Sequence, residues 1–452
     1  MQLRPLSHGA LLRLLLGLLV LIAAPGAAPR AINLGAAADV SGIAVLAVGT
    51  AVLVGTNSVS GWASMWSIST NSVVSPTILT GPGGTPRTGV ANGISPDGGF
   101  IVGALNKTGS ALPFQLDGAV WSRTQPTNPT IVPDLSDPFP STRLRDVSNT
   151  GLAVGTSAQT AYRWTSGTGG TALATTNASS AWAGAVNGNG TVIVGSANDL
   201  TVAHPVAVRW VSGVYSVLDY SYSAAYGVSP NGQFIAGASD VINNAQLELD
   251  VVYWKDGQRQ ILRDGNGTPI AGQALWATDS GIIGGFAGPP GSDPIDAWIY
   301  IEGMRSPISF DIWWKQLTGT TFPIDVTSSP AAVERDGELY LTLEGGAYFA
   351  QVQWAAPADG NRDRVVDGAD YTIWADNYLG TTNVGFATGD YSGDGKIDGA
   401  DYTIWADNFN PSGARALTAA AVPEPSSAIL ALCAGGAWLA LAGGRRLVRC
   451  CF

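Results

Sequence analysis

The most regular feature of the chain is a short apolar run closed by glycine, which returns along its middle. It reads Ile101-Val102-Gly103, Ala153-Val154-Gly155, Ile193-Val194-Gly195 and Ile235-Ala236-Gly237. Ile282-Ile283-Gly284 is a degraded copy and Val52-Leu53-Val54-Gly55 an early one. Turn residues precede the full copies: Ile94-Ser95-Pro96-Asp97-Gly98, Val147-Ser148-Asn149-Thr150-Gly151, Val186-Asn187-Gly188-Asn189-Gly190 and Val228-Ser229-Pro230-Asn231-Gly232. Apolar runs this short, bounded by turn residues, predict buried strands, and each glycine is expected to end its strand where backbones approach closely. A strand carrying tryptophan follows each run. Trp66, Trp121, Trp164, Trp210, Trp254 and Trp298 are separated by 55, 43, 46, 44 and 44 residues. A period in the mid-forties with several short strands per unit predicts propeller blades. A divergent seventh unit is expected at Asp336-Gly337-Glu338-Leu339-Tyr340-Leu341, followed by Tyr348-Phe349. The expected fold class is mainly β, a six- or seven-bladed β-propeller-like repeat domain over residues 32–355, with a sandwich or solenoid as the alternative. The repeated tryptophans are read as blade core rather than sugar-stacking platforms.

Past residue 355 the pattern changes, and residues 356–410 carry the sharpest candidate chemistry. Two twelve-residue stretches begin at Asp359 and Asp390, each followed by Tyr-Thr-Ile-Trp-Ala-Asp-Asn. A hard cation such as calcium takes six to eight oxygen ligands, arranged along a loop at positions 1, 3, 5, 7, 9 and 12. Here those positions hold Asp359, Asn361, Asp363, Val365 (through its carbonyl), Asp367 and Asp370. In the second stretch they hold Asp390, Ser392, Asp394, Lys396 (through its carbonyl), Asp398 and Asp401. The eighth-position residues Val366 and Ile397 are expected to point into a small core. Tyr371, Trp374 and Tyr378, and again Tyr402, Trp405 and Phe409, fall on one helical face, so two helices are expected to pack together. Arg364 stands at the sixth position, where a sharp turn favours glycine, at a cost of about 1 kcal/mol. Arg362 and Arg364 also offset loop charge, so of two calcium ions the second loop is expected to bind the tighter. The alternative is a pair of Asp-rich turns without metal.

Both ends read as targeting segments. Arg4 and Arg13 precede an apolar run from Leu14 to Ala24 and small residues Ala27, Ala28 and Ala31, the order of a signal peptide over residues 1–31. An N-terminal anchor is the alternative, and either predicts export. At the other end, Val422-Pro423-Glu424-Pro425-Ser426 precedes an apolar segment 428–444 and then Arg445, Arg446 and Arg449. That segment is near the lower length for a transmembrane helix, and the arginines place its far end in the cytoplasm. Residues 411–422 form an Ala-, Pro- and Gly-bearing linker, expected to act as a flexible tether.

Composition narrows the function. The formal net charge is -11 with only 23 Lys plus Arg, which disfavours nucleic acid as a partner. The three cysteines, Cys433, Cys450 and Cys451, all lie at the C-terminal end, so the body is expected to contain neither disulfide nor thiol metal site. His204 is the one histidine outside the leader, read as an exposed turn residue, and a His-based triad or zinc cluster cannot be assembled.

Three resemblances sharpen this reading. The Val-Pro-Glu-Pro-Ser, apolar segment, Arg-Arg order resembles the PEP-CTERM sorting signal of Gram-negative and planctomycete bacteria. That resemblance implies recognition by an exosortase-type membrane protease and makes residues 423–452 the sorting signal. The turn, Ile-Val-Gly run and Ala-x-Arg-Trp strand, best seen at Ala161-Tyr162-Arg163-Trp164 and Ala207-Val208-Arg209-Trp210, resemble the HAF family of extracellular repeats. The paired loop–helix units resemble type I dockerin modules, which implies two calcium ions and docking to a cohesin-like partner.

The expected function is an exported, cell-surface-associated binding or structural protein without enzymatic activity, with an extracellular glycan or a cohesin-like protein as ligand. The alternative is a secreted polysaccharide-degrading hydrolase, since dockerin modules often ride on such enzymes. Glycosidases need two carboxylates across the scissile bond. Asp134, Asp137, Asp146 and Asp250 are the candidates, and two or more carboxylates in the central funnel would favour this alternative. Mass spectrometry of the protein from its native envelope is expected to show a chain without the leader, ending near Pro423-Glu424-Pro425. A mature chain that retains Cys450 and Cys451 would refute processing.

Overall fold

The computed structural model describes residues 29–410 apart from 36–37, 70–71, 74–75, 109–114, 136–140, 241–248, 288–295, 344–345 and 381–384. The leader up to residue 28, the linker 411–422, the apolar segment 428–444 and the sorting-motif residues Val422, Pro423, Glu424, Pro425, Arg445 and Arg446 lie outside the described residues. Among the described residues no helix is long and apolar enough to cross a membrane.

Seven antiparallel sheets form the body, one per repeat, six of four strands and the first of five. Their innermost strands are Ala38–Ala47, Gly89–Ile94, Thr142–Val147, Ala178–Val186, Ser223–Val228, Gly272–Ala277 and Ala331–Arg335. Each touches the next, and the seventh touches the first, so the sheets are the blades of a closed seven-bladed propeller. The divergent unit at Glu338–Leu343 is blade seven. Its outermost strand is Arg30–Asn33 from the N-terminal end, paired with Tyr348–Gln353. The Arg30 side chain fastens this closure, donating to Gln351 Oε1 at 2.5 Å, Ser69 O at 2.7 Å and Gly49 O at 2.9 Å. This strand begins inside the stretch 1–31 read as a signal peptide, and the fold pairs Arg30 and Ala31 with Gln351 and Ala350.

The repeated glycine sits in the middle of the second strand, not at its end. In blades one to six the innermost strand carries an extra residue at a matching place, Ser41, Asn92, Arg145, Gly184, Tyr226 or Leu275, and blades one and four carry a second at Leu46 and Ser179. Beside each bulge, the neighbouring strand presents Gly55, Gly103, Gly155, Gly195, Gly237 or Gly285. A β-carbon on Gly103 would lie 1.9 Å from the Val90 carbonyl oxygen, which no side chain can tolerate. The bulge and the glycine are therefore one device, because the extra residue pushes the inner backbone against its neighbour.

The turn motif couples blades. Within the turn of blade two, Ser95 Oγ bonds Asp97 Oδ1 and accepts from Phe100 N. Between blades, Asp97 N donates to Asn149 Oδ1 at 2.9 Å, Asn149 N to Gly188 O at 3.0 Å and Gly188 N to Pro230 O at 2.9 Å. Asn231 N continues to Asp279 Oδ1 at 2.8 Å, and Ser280 Oγ to Glu334 Oε1 at 2.6 Å. These bonds chain blades two to seven along one end of the ring.

Trp66, Trp121, Trp164, Trp210, Trp254 and Trp298 are all buried, as the core reading expects. Trp298 is out of step with the others. It pairs with Gly285, whereas Trp121 pairs with Ile101, two residues before Gly103; Tyr300 holds the equivalent place in blade six. One helix in the body was not anticipated, α1 (Phe310–Thr318), which buries Phe310, Trp313, Trp314 and Leu317 beside blades six and seven.

Gly103→Ala should destabilise the fold by about 1–3 kcal/mol, the usual range for forced overpacking. Gly167→Ala, where an added β-carbon meets nothing within 4 Å, should be near neutral. Equal urea midpoints for the two variants would contradict the bulge–glycine account.

Candidate functional sites: the paired loops and the central channel

The two Asp-rich stretches fold as matched loop–helix units, with α2 (Gly368–Asn377) and α3 (Gly399–Asn408) after the loops. Asp367 and Asp398 cap the helices, and Asp370 and Asp401 complete a capping box with each. The units are reciprocal: Trp374 Nε1 donates to Asp398 O and Trp405 Nε1 to Asp367 O, both at 2.8 Å. Tyr371 packs on Trp405 and Trp374 on Tyr402, which joins the helices along the predicted aromatic face. Val366 and Ile397 are buried, as expected of the eighth positions.

Each loop buries the carboxylates at its first and twelfth positions, Asp359 with Asp370 and Asp390 with Asp401. Asp359 accepts from Asp363 N at 3.0 Å and Arg364 N at 2.9 Å; Asp370 accepts from Asn361 N at 3.2 Å and Asp367 N at 2.9 Å. In the second loop Asp390 accepts from Asp394 N and Gly395 N, and Asp401 from Ser392 N and Asp398 N. Burial, with the neighbouring carboxylates of Asp370 and Asp363, pushes the Asp359 carboxyl up to about 7. Burial raises Asp370 and Asp401 as well. The oxygens at positions 3, 5 and 9 are engaged within the loop. Asn361 Oδ1 accepts from Asp363 N, and the carboxylates of Asp363, Asp367, Asp394 and Asp398 cap amides two residues on. Among the described residues no three His, Cys, Asp or Glu side chains are gathered closely enough to hold a metal ion.

The loops differ in strain. Positions four and six take left-handed backbone in both, at Arg362 (φ 59) and Arg364 (φ 76) in the first and at Gly393 (φ 67) and Gly395 (φ 84) in the second. Only the first loop therefore bears the β-carbon penalty, about 1 kcal/mol at each position. Its arginines are engaged elsewhere. Arg362 Nη1 donates to Gln353 Oε1 of blade seven at 2.5 Å, and Arg364 lies over Trp354. The module is accordingly no separate bead after residue 355. Val366, Phe386 and Tyr391 join one core with α1 and blades six and seven, and Gly393 lies against the Lys315 carbonyl.

The innermost strands enclose a channel with a cavity of about 280 Å³. Its lining includes Gly42, Gly93, Gly184 and Gly227 together with Arg145, Asp146, Asp279 and Glu334. The three carboxylates are all engaged: Asp146 by Val147 N and Val186 N, both at 2.8 Å, Asp279 by Asn231 N, and Glu334 by Ser280 Oγ and Trp354 Nε1. Desolvation pushes Asp146 up to about 6. Of the other hydrolase candidates, Asp134 pairs with Lys107 and Thr142, Asp250 is buried at the start of the third strand of blade five, and Asp137 lies outside the described residues. Neither Asp134 nor Asp250 lines the channel. His204 starts a strand rather than a turn, half-buried with its ring beside Tyr222.

Asp146 gives a pH prediction. A folded-state carboxyl raised from its ordinary 3.8 to about 6 stabilises the fold fully at low pH. That contribution is lost as pH rises through the folded value. Between pH 4 and 6 the wild type should lose on the order of 1 kcal/mol relative to Asp146→Asn, allowing for channel solvent. A flat difference between their stability–pH curves would exclude a desolvated Asp146.

No family model matches the chain, and no curated protein does. The similar solved structures include the putative TolB from Agrobacterium tumefaciens, 14% identical with a TM-score of 0.35, the match covering 51% of this chain and 82% of that one. They also include puromycin hydrolase, 11% identical with a TM-score of 0.44, covering 71% of this chain and 53% of that one. The β-propeller domain of the Trilobed protease from Pyrococcus furiosus is 11% identical with a TM-score of 0.30, covering 68% and 78%. The blade count rests on the sheets described above, not on these likenesses.

Proposed function

We propose that this protein is an exported, calcium-braced binding scaffold of the cell envelope without catalytic activity, sorted there by its C-terminal tail. The reading is carried by the matched pair of loops, each burying two carboxylates against a left-handed turn. A buried pair of like charges favours a divalent ion, and the residue types suit calcium. An ion would have to draw together side chains that stand apart among the described residues. Asp359, Asn361, Asp363, Val365, Asp367 and Asp370 would hold the first, and Asp390, Ser392, Asp394, Lys396, Asp398 and Asp401 the second. Bound calcium supplies positive charge at the buried carboxylates. The chain's part is to hold the loops against α1 and blade seven, so that the ions brace the module on the propeller. The aromatic face of α2 and α3 keeps Tyr371, Tyr378, Tyr402 and Phe409 exposed, which suits docking of a cohesin-like partner.

The hydrolase alternative has the number of channel carboxylates it needs, yet each is engaged in hydrogen bonds that link or shape blades. The binding reading is therefore preferred.

Calcium should raise the melting temperature of the intact chain, with about 2.7 kcal/mol of stabilisation at a hundredfold excess over Kd for one site. Asp394→Ala should weaken binding more than Asn361→Ala, since it removes a charged ligand from the less strained loop. No thermal shift at millimolar calcium would sink the calcium reading.

A further inference from the structure

The bulges place five side chains at the channel, and one of them stands apart. Arg145, the extra residue of blade three, is exposed to the channel. Its guanidinium makes no hydrogen bond or ion pair among the described residues, whereas Asp146, Asp279 and Glu334 are all engaged. The surrounding protein partly desolvates its guanidinium and lowers its pKa, although the residue stays exposed to the channel, and the charge that acts on it is another cation, Arg143. No carboxylate offsets either effect, so the channel charges lie elsewhere: Asp146 turns to the Val147 and Val186 amides, and Asp279 and Glu334 sit at the blade-coupling turns. Arg143 reaches Asn92 Oδ1 at 3.0 Å, with an exposed side chain on the same strand.

Arg145 rests on an aromatic neighbour. Its guanidinium lies 5.1 Å from the ring centroid of Trp182 on blade four. On the blade-five side Tyr226, itself a bulge residue, stacks with Trp182 at 6.1 Å and 22° between planes. The blade-four bulge residue is Gly184, and any side chain there would strike the Trp182 ring, since an added β-carbon would come within 2.5 Å of it. The missing side chain makes room for the platform. Trp182 belongs to no repeat of the sequence, unlike the six tryptophans of the blade cores.

We propose that Arg145 and Tyr226, which line the channel cavity and are backed by Trp182, form a binding site for a carboxylate-bearing sugar, the uronic acid unit of an acidic polysaccharide. A free guanidinium presents a planar fork of N–H donors that matches a carboxylate in bidentate fashion. The Tyr226 ring, which lines the cavity, suits the C–H face of a pyranose ring. The cavity of about 280 Å³ takes a ligand of one ring. The assignment rests on the reading of the propeller as a binding scaffold and is independent of the calcium loops.

The test is calorimetric titration of the intact chain, at one fixed calcium concentration, with an oligogalacturonate and with its methyl ester. The ester keeps the ring and removes the charge. The acid form should bind at least about tenfold tighter than the ester. Arg145→Gln, at an exposed position, should abolish that preference with melting temperature unchanged, and Trp182→Ala should weaken both forms. Equal affinity for acid and ester, an unaltered Arg145→Gln, tighter binding of a peptide carboxylate, or no binding at millimolar ligand would each overturn the site. Reducing ends are measured in the same samples. Absent binding without turnover removes this site and leaves the scaffold reading; turnover of the oligosaccharide removes both.

Discussion

Six times around the ring, an extra residue in the innermost strand is accommodated by a glycine in the strand beside it. Much of the body follows from that steric constraint. The glycine is what lets the inner backbone bulge, and in five of these six blades the bulge redirects a side chain toward the channel. Substituting the glycine would set a β-carbon within about 2 Å of a carbonyl oxygen in every one of these blades. The repeat is thus conformational before it is chemical. The backbone device is the same in each copy, while the bulge residue varies from Ser41 to Arg145 to Tyr226 and sets the local chemistry of the channel.

A second dependency joins the two parts of the chain. Helix α1 and blades six and seven share one apolar core with Val366, Phe386 and Tyr391 of the loop module. Through this core, and through Arg362 bonded to Gln353, the state of the loops is felt by the last blades. Those blades are also where the ring is closed by Arg30–Asn33. The closure, the module and the coupling turn at Glu334 therefore lie in one neighbourhood.

Much of this architecture was legible along the chain. Strand content, a mid-forties period and the seventh divergent unit follow from local patterns, because turns with Asp-Gly or Asn-Gly and short β-branched runs have few alternatives. The loop–helix pair was equally plain, since its donor spacing and aromatic face are carried by consecutive residues. Helix α1 was missed although Phe310, Trp313, Trp314 and Leu317 have helical spacing, because one short apolar stretch among many strands is ambiguous. The sixth tryptophan was taken for a copy of the others when Tyr300 holds that register, a two-residue offset that alternation along a strand cannot reveal.

What the sequence by itself determined is therefore the list of elements and their kinds. Strands, turns and loop–helix units are dictated by residues within a dozen positions of one another. Tertiary structure alone decided which residues face the channel, because one inserted residue reverses the alternation and no pattern of period two marks it. It also decided that the turn motif couples neighbouring blades, a role carried by hydrogen bonds across about fifty residues of chain, as between Asp97 and Asn149. Arg145, Trp182 and Tyr226 come from three different repeats, each unremarked in its own stretch of sequence. They meet because ring closure brings blades three, four and five side by side, and neither neighbour offers the Arg145 guanidinium a carboxylate.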